Sequence, residues 1–496
     1  MELNIKSTTQ GFSPKALIRL LLLIGLASMT IALIKQQIAL ALGVAMLPLI
    51  VASFGYGFLR PRCVLLIYAT YCFFFTTIMR YTHASQLSVG LDVIVYYGVI
   101  VVLCASYFNK GSISWKNAIN MLTISYIPWV IFSFFQLSNP QIPQEGISTG
   151  LRIWIFRNSF LYIILSLLAN TRKSLQIGLD LISFLTLLAF LKLLWQKFIG
   201  FDDAELHWLY VEGGARTHII HSGIRYFSFF TDAASFGGFM AAAGLVYAII
   251  GFHYPQRLKK LWYFFISTIA YLGMFMSGTR GSLVIPFIAM FLYCFLCKNF
   301  RILIITAIAG FFIFVFFAFT NIGNGNEYIR RARTAFHASK DASMNVRVRN
   351  REEIAYYIAK HPLGYGFKGV VEKYWPQADG TYVKGVIPPD SFFVHIWIET
   401  GYFGLILYIL MCCTLIIEGS RIVLFKIKDK LLRHILAAFT CATLGIWASG
   451  YTGDNPGMPP TDFVIVAMMA FVMNGATIDK ELEKQKLLTS KTNNAI

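Results

Sequence analysis

The stretch NVRVRNREEIAYYIAKHPLGYG, residues 345–366, lies inside a polar interval that runs from Asn321 to Gly401. This interval holds eleven Lys and Arg residues, and it is the longest polar interval in an otherwise apolar sequence. Long apolar runs precede and follow it. The pattern indicates a membrane scaffold that holds one polar segment against one face of a bilayer.

The quoted stretch itself predicts an amphipathic helix over Asn345–Lys360. Arg347 and Arg351 are four residues apart and share one helix face, beside an apolar stripe. His361-Pro362 ends the helix, since proline cannot continue it, and the two glycines that follow permit a sharp chain reversal. Such a helix either contacts a substrate or rests on anionic lipid head groups.

Composition places the chain in the membrane. Of its 496 residues, 57% are hydrophobic and 14% are charged, against about 25% charged in soluble domains. The apolar runs are roughly 17 to 22 residues long, which suits helices that cross the hydrocarbon core, whereas barrel strands are shorter and alternate. The runs predict fourteen transmembrane helices, the first of them retained, at 16–34, 38–57, 63–79, 88–108, 117–135, 153–169, 177–198, 233–251, 261–278, 282–298, 301–320, 396–418, 434–450 and 460–476.

Charge sets the expected orientation. The formal net charge is +19, but the Lys and Arg residues are spread over many loops, so we expect lipid head groups rather than nucleic acid as their partner. Short loops on one side hold most of these cations, which predicts that both termini are cytoplasmic. Four polar features then share the outer, periplasmic face: residues 200–231, 277–280, 321–395 and 451–460.

The predicted fold class is therefore an all-α polytopic membrane protein. Residues 1–320 hold transmembrane helices 1–11, and residues 321–395 form the periplasmic segment with its amphipathic helix. Residues 396–478 hold helices 12–14, and residues 479–496 form a cytoplasmic tail.

Two arginines at helix ends are candidate anion ligands. Arg225 precedes the eighth helix and either grips a phosphate through its planar fork or snorkels to the interface. Asp232, nearby, is interpreted as a helix N-cap. Arg280 lies in the short turn between two helices with no acidic neighbour in sequence, and it therefore needs a distant carboxylate or a ligand phosphate. Together the two arginines favour a lipid that carries a diphosphate.

A carboxylate near a helix start is the candidate base. Asp390 follows two prolines and precedes an apolar run, so it is a general base or, alternatively, a helix N-cap. His395, five positions on, is a packing residue or a further substrate contact. His218 and His221 have a spacing that occurs in metal sites, but no acidic partner set accompanies them, and no metal or cofactor is expected.

Four local patterns occur in a fixed order along the chain. They are Arg225-x-x-Ser228 with Phe236-Gly237; Thr279-Arg280-Gly281; Arg347 placed fourteen residues before His361-Pro-Leu-Gly-x-Gly366; and the polar pair Asp390-Ser391 nine residues before Glu399-x-Gly401. With this set the chain resembles the O-antigen ligase and polymerase superfamily, bacterial membrane glycosyltransferases that build surface polysaccharides. The resemblance covers roughly residues 200–420.

The resemblance implies that Arg225 and Arg280 hold the diphosphate of a polyprenyl-linked glycan and that Asp390 occupies the base position. The further candidate substrate-binding residues are Arg347, Arg351, His361, Ser228 and His395. The ligase pattern has His-Asn where this chain has Asp390-Ser391. That departure favours a Wzy-type polysaccharide polymerase over a ligase.

The expected function is polymerisation of undecaprenyl-diphosphate-linked repeat units at the outer face of the bacterial inner membrane, without a metal. The expected partners are this lipid-linked glycan, the bilayer and a chain-length regulator. Two alternatives remain. A ligase would transfer the polysaccharide to the lipid A core, and a flippase would move lipid-linked oligosaccharide across the membrane. Transporters usually show paired repeats and mid-membrane charges, which favours the enzyme.

Overall fold

The computed structural model describes residues 51–109, 113–220, 223–297, 300–334, 336, 342–376 and 381–493. Most of these residues are helical. The helices are α1 Cys63–Thr82, α2 Val89–Phe108, α3 Met121–Gln136, α4 Gln144–Leu168, α5 Arg172–Phe198, α6 Asp203–Tyr210, α7 Ala215–His218, α8 Ala233–His253, α9 Arg257–Met276, α10 Val284–Leu296, α11 Phe300–Phe319, α12 Glu327–Thr334, α13 Ala342–Lys360, α14 Phe392–Phe425, α15 Lys430–Ser449, α16 Thr461–Met473 and α17 Gly475–Asn493.

The long apolar helices confirm a polytopic membrane protein. Among the described residues, seven helices are long and apolar enough to cross a membrane, namely α1, α2, α4, α5, α8, α14 and α15. The bent pair formed by α16 and the following helix gives an eighth. Helices of 20 residues reach about 30 Å, the thickness of the hydrocarbon core.

Helix positions agree closely with the sequence. Each of the twelve helices predicted from residue 63 onward coincides with a helix in the structure. The prediction at 16–34, and most of that at 38–57, lies outside the described residues. Because only seven or eight helices in the described part meet the length and apolarity criteria, the count of fourteen spans stays a prediction, as do the domain boundaries drawn from it.

Helix α8 is the centre of the bundle. Nearly all of its side chains are buried, and it packs most extensively against α9 and α15. Its small residues allow this close approach. A Cβ atom on Gly237 would collide with the hydroxyls of Ser277 and Ser282, and one on Gly238 would collide with the Asn455 amide. The Phe236-Gly237 pattern therefore marks a place where the helix start is pressed against two neighbouring connections.

The segment between α11 and α14 is more varied than the sequence indicated. The predicted amphipathic helix is present as α13, which ends at Lys360 before the proline. The segment also contains a helix, α12, and an antiparallel hairpin of β3 Glu372–Pro376 and β4 Tyr382–Val386. Outside this segment, between α7 and α8, a shorter hairpin pairs two two-residue strands, β1 Ile219–Ile220 and β2 Gly223–Ile224. The all-α prediction missed both hairpins.

Candidate active site

A cavity of about 400 Å³ opens at one end of the bundle, where several connections between helices meet. The start of α8, the turn between α9 and α10, the loop between α15 and α16, and the residues before α14 all contribute to its wall. Its charged lining consists of four arginines and three aspartates: Arg225, Arg280, Arg331, Arg347, Asp232, Asp390 and Asp454. The structure therefore brings together four of the sequence candidates.

Arg225 is fixed by hydrogen bonds at both ends of its fork. Nη1 donates to the Thr217 carbonyl oxygen and Nη2 donates to Thr279 Oγ1, each across 3.0 Å. Its buried Nε has no hydrogen-bond partner among the described residues. Burial lowers the pKa of Arg225, Asp232 opposes that change, and the cations of Arg347 and Arg280 lower it further. An anion in the cavity would relieve this repulsion between guanidinium groups.

The turn that carries Arg280 is built from glycine and threonine. Gly278 has φ +60°, a left-handed conformation that glycine adopts without strain, and a Cβ there would lie 3.2 Å from Arg331 Cδ. Thr279 Oγ1 accepts from Arg225 and donates to the Ala233 carbonyl oxygen across 2.8 Å. Arg280 Nη1 donates to Thr334 Oγ1 across 3.0 Å. This turn therefore ties the two arginines to the start of α8 and to α12.

The remaining two arginines come from the polar interval. Arg331 lies in α12 and Arg347 in α13, and both line the same cavity as Arg225. In the sequence, Arg331 belongs to one basic group with Arg330 and Arg333, and Arg347 belongs to another with Arg349 and Arg351. The fold adds one member of each group to the basic residues that line the cavity.

Asp390 is not a helix cap. Ser391 is the N-cap of α14, and its hydroxyl accepts from the Val394 N–H across 3.4 Å. Asp390 instead has φ +55°, and its Oδ2 accepts a hydrogen bond of 2.5 Å from Asn350 Nδ2. Non-glycine residues adopt this conformation at a cost of roughly 1 kcal/mol or more, although Asp tolerates it better than most. The cap interpretation was wrong by one residue, and the carboxylate faces the cavity.

The other two carboxylates differ in their contacts. Asp232 caps α8, as expected, by accepting from the Ser235 N–H across 2.7 Å. Asp454 was missed by the sequence analysis. Burial raises the pKa of Asp454, His395 opposes this rise, and the charges of Asp232 and Asp390 add to it. Asp454 therefore lines the cavity together with Asp232 and Asp390.

Four candidate substrate-binding residues lie outside the described cavity lining. The Arg351 guanidinium lies 4.0 Å from the centre of the Tyr451 ring and donates to the Tyr451 carbonyl oxygen. Ser228 is buried, and its hydroxyl donates to the Ala189 carbonyl oxygen across 2.7 Å. His361 contacts the Tyr365 ring. His395 is exposed on the first turn of α14, so it does not pack in the core.

The HPLGYG turn, residues 361–366, is hydrogen-bonded to α14 at the Glu399-x-Gly401 pattern. Gly401 breaks α14 with φ +66°, which frees backbone groups near the break. The Tyr365 N–H donates to the Ile398 carbonyl oxygen across 2.8 Å, and the Tyr402 N–H donates to the Pro362 carbonyl oxygen across 3.2 Å. Glu399 accepts from the Lys368 N–H. The turn therefore docks the end of α13 on α14, which holds Asn350 near Asp390.

His218 lines the cavity with both ring nitrogens engaged. Nε2 accepts from the Ala233 N–H across 3.1 Å, and Nδ1 lies 2.9 Å from the Gly214 carbonyl oxygen. Burial lowers the pKa of His218 to about 4. His221, its suggested metal partner, lies outside the described residues.

Fold and site together define a polytopic helical membrane protein with a pocket of arginines and carboxylates at one end. The model of a family described as O-antigen ligase matches residues 265–409. This match confirms the resemblance to the O-antigen ligase and polymerase superfamily, and it supports a function of the ligase or polymerase type in a glycosyltransferase-like enzyme. The matched range includes Arg280, Arg331, Arg347 and Asp390. No match to a curated protein is found.

Proposed function

We propose that the protein is a bacterial inner-membrane glycosyltransferase that polymerises undecaprenyl-diphosphate-linked repeat units at the periplasmic face. The observation that carries the proposal is one cavity lined by Arg225, Arg280, Arg347 and Asp390, in which the two other cations lower the pKa of Arg225 and Ser391, not Asp390, caps α14. A diphosphate and a reacting sugar hydroxyl are the two groups that such a cavity suits.

The donor would bind through the arginines. A guanidinium group stays charged and presents paired N–H donors that match phosphate oxygens. Within the described part of the chain, the buried Nε of Arg225 has no hydrogen-bond acceptor, and Arg225 has two cationic neighbours. Binding of the diphosphate would supply the missing acceptors and offset the repulsion among the cations.

In the proposed transfer step, Asp390 acts on the acceptor hydroxyl and the arginines act on the leaving group. A hydroxyl of the acceptor sugar attacks the anomeric carbon of the donor chain, and Asp390 takes its proton. The bond from that carbon to the diphosphate oxygen breaks, and its electron pair leaves with undecaprenyl diphosphate. The arginines stabilise the charge that develops on the leaving oxygen, which is usually the largest electrostatic contribution to catalysis. Because these cations supply the positive charge, we expect no metal requirement.

A ligase is the second candidate, because the matching family is described as O-antigen ligase. Polymerase remains the first choice, because Asp390-Ser391 stands where the ligase pattern has His-Asn. The flippase alternative gains no support from the family match.

Deletion of the protein in its own bacterium separates these functions. The polymerase proposal predicts that the ladder of polysaccharide lengths disappears while a single repeat stays attached to the lipid core. Loss of every repeat from the core would instead indicate a ligase. Accumulation of lipid-linked repeats on the inner leaflet would indicate a flippase.

A further inference from the structure

Two histidines and a glutamate converge at the end of α1. His83 directly follows α1, His207 lies in α6, and Glu212 follows α6. His83 Nδ1 lies 3.8 Å and His207 Nδ1 3.5 Å from the same Glu212 oxygen, Oε1. The two imidazole rings contact each other at 4.5 Å between their centres. One ligand atom from each of the three residues can be chosen so that all lie within 4.8 Å of one another.

These distances are close to those of a tetrahedral metal site. With ligand bonds of about 2.0–2.1 Å, neighbouring ligand atoms around Zn²⁺ are roughly 3.3 Å apart. Imidazole nitrogen and carboxylate oxygen are ligands that Zn²⁺ and neighbouring divalent transition metals accept. Rotation of these half-exposed side chains, whose ligand atoms already lie within 4.8 Å of one another, would place all three ligands around one ion. A fourth position would be left for water.

The backbones that carry the ligands are held together without a metal. The Tyr81 hydroxyl contacts the Asp202 carboxylate, and Asp202 and Glu205 form a capping box at the start of α6. The Arg80 guanidinium lies 4.5 Å from the centre of the Trp208 ring. His83 itself adopts a left-handed conformation, φ +51°, at the C-cap of α1. The ligands are thus prepositioned, which lowers the entropy lost on metal binding.

We propose that His83, His207 and Glu212 form a binding site for a divalent transition metal of the Zn²⁺ class, which clamps the end of α1 to α6. The side chains are about half exposed, at 50%, 43% and 47% respectively, so an ion has direct access from solvent. The Trp208 ring in α6 contacts His218, which lines the candidate active site. The clamp therefore stabilises one wall of that site and takes no part in the transfer step.

Zn²⁺ titration of the purified full-length chain in detergent, without a histidine tag and after chelator treatment, tests this proposal. The wild type should bind one Zn²⁺ per chain at the site, and Co²⁺ should give the absorption bands of a tetrahedral complex. His83→Ala and His207→Ala should each weaken binding by about tenfold or more, because each removes one of three protein ligands. His361→Ala, which removes a histidine remote from the cluster in sequence, is the matched control and should bind as the wild type does.

Gel filtration and thermal unfolding of each variant show whether it is folded. Because all three side chains are about half exposed, we expect the substituted chains to fold. Absence of Zn²⁺ binding by the folded wild type would overturn the proposal and leave only an exposed contact between the histidines and Glu212. Binding by the His83→Ala/His207→Ala double variant at wild-type affinity would overturn it as well.

Discussion

Asn350 Nδ2 donates a hydrogen bond of 2.5 Å to Asp390 Oδ2, and this bond joins α13 to the residue that precedes the N-cap of α14. It fixes the direction of the carboxylate that we propose as the base. Asn350→Ala should lower the transfer rate by roughly ten- to a hundredfold, since losing one bond to a charged group costs about 1.5–3 kcal/mol. The loss should appear in kcat more than in KM. Asn345→Ala, an exposed position on the same helix, is the control, and equal rates for the two variants would contradict the positioning role.

Substitution of Asp390 should remove activity, whereas substitution of the adjacent Ser391 should mainly lower stability. Asp390→Asn keeps the shape and tolerates the left-handed backbone, so the protein should fold and be inactive. Ser391→Ala should lower the free energy of unfolding by about 1 kcal/mol through loss of the cap and retain most activity. Transfer assays and thermal unfolding of both variants give the comparison. The opposite pattern would mean that Asp390 is structural.

Neighbouring arginines in α12 offer a matched pair. Arg331 lines the cavity, whereas Arg330 is exposed and donates to the Asn324 carbonyl oxygen. Arg331→Ala should weaken donor binding, and Arg330→Ala should have little effect.

Arg225→Ala and Arg280→Ala should each abolish activity while the protein still inserts. Near-normal polysaccharide length in either of those two variants would refute the diphosphate assignment.

Asp454 should destabilise the fold at neutral pH. Its folded pKa is raised above the ordinary value, so the folded state holds the proton more tightly than the unfolded chain does. Stability from this group is therefore present at low pH and is lost as the pH rises through the folded pKa. Asp454→Asn should raise the melting temperature at pH 7, and the gain should disappear on acidification toward the ordinary Asp pKa. A gain that is independent of pH would point to another cause.

The break at Gly401 should be essential for docking of the HPLGYG turn. A Cβ there would collide with the Pro362 carbonyl oxygen, and φ +66° is strained for alanine. Gly401→Ala should lower the free energy of unfolding by about 1–3 kcal/mol and reduce activity through displacement of α13. Gly310→Ala is the control, because a Cβ there meets open space within a helix, and alanine favours helix by about 1 kcal/mol. A Gly401 variant as stable as that control would exclude the docking role.

The helices were predictable because length and apolarity alone define them, and twelve of them coincide with the sequence pattern. The cap at α14 was not, since Asp390 and Ser391 are adjacent and both suit an N-cap. In the structure Ser391 caps α14, while Asp390 adopts a left-handed backbone conformation and accepts a hydrogen bond from Asn350. Asn350 is forty residues away in the chain, so the local sequence does not show this contact.

Part of the site could not be predicted because its residues are far apart in the sequence. Arg225 and Asp454 meet in one cavity although more than two hundred residues separate them. Nothing in the loop around Asp454 distinguishes it from a polar turn between helices. The β3–β4 hairpin could not be predicted because its five-residue strands, EKYWP and YVKGV, are mostly exposed and do not alternate apolar with polar residues.

Turnover of undecaprenyl-diphosphate-linked repeat units by the purified protein tests the central claim most directly. The reaction contains no lipid A core, and its products are the lipid-linked chain lengths and free undecaprenyl diphosphate. The account predicts that the wild type lengthens the lipid-linked chains and releases undecaprenyl diphosphate, whereas folded Asp390→Asn and Arg280→Ala do neither. Chain lengthening by both variants at the wild-type rate would contradict it.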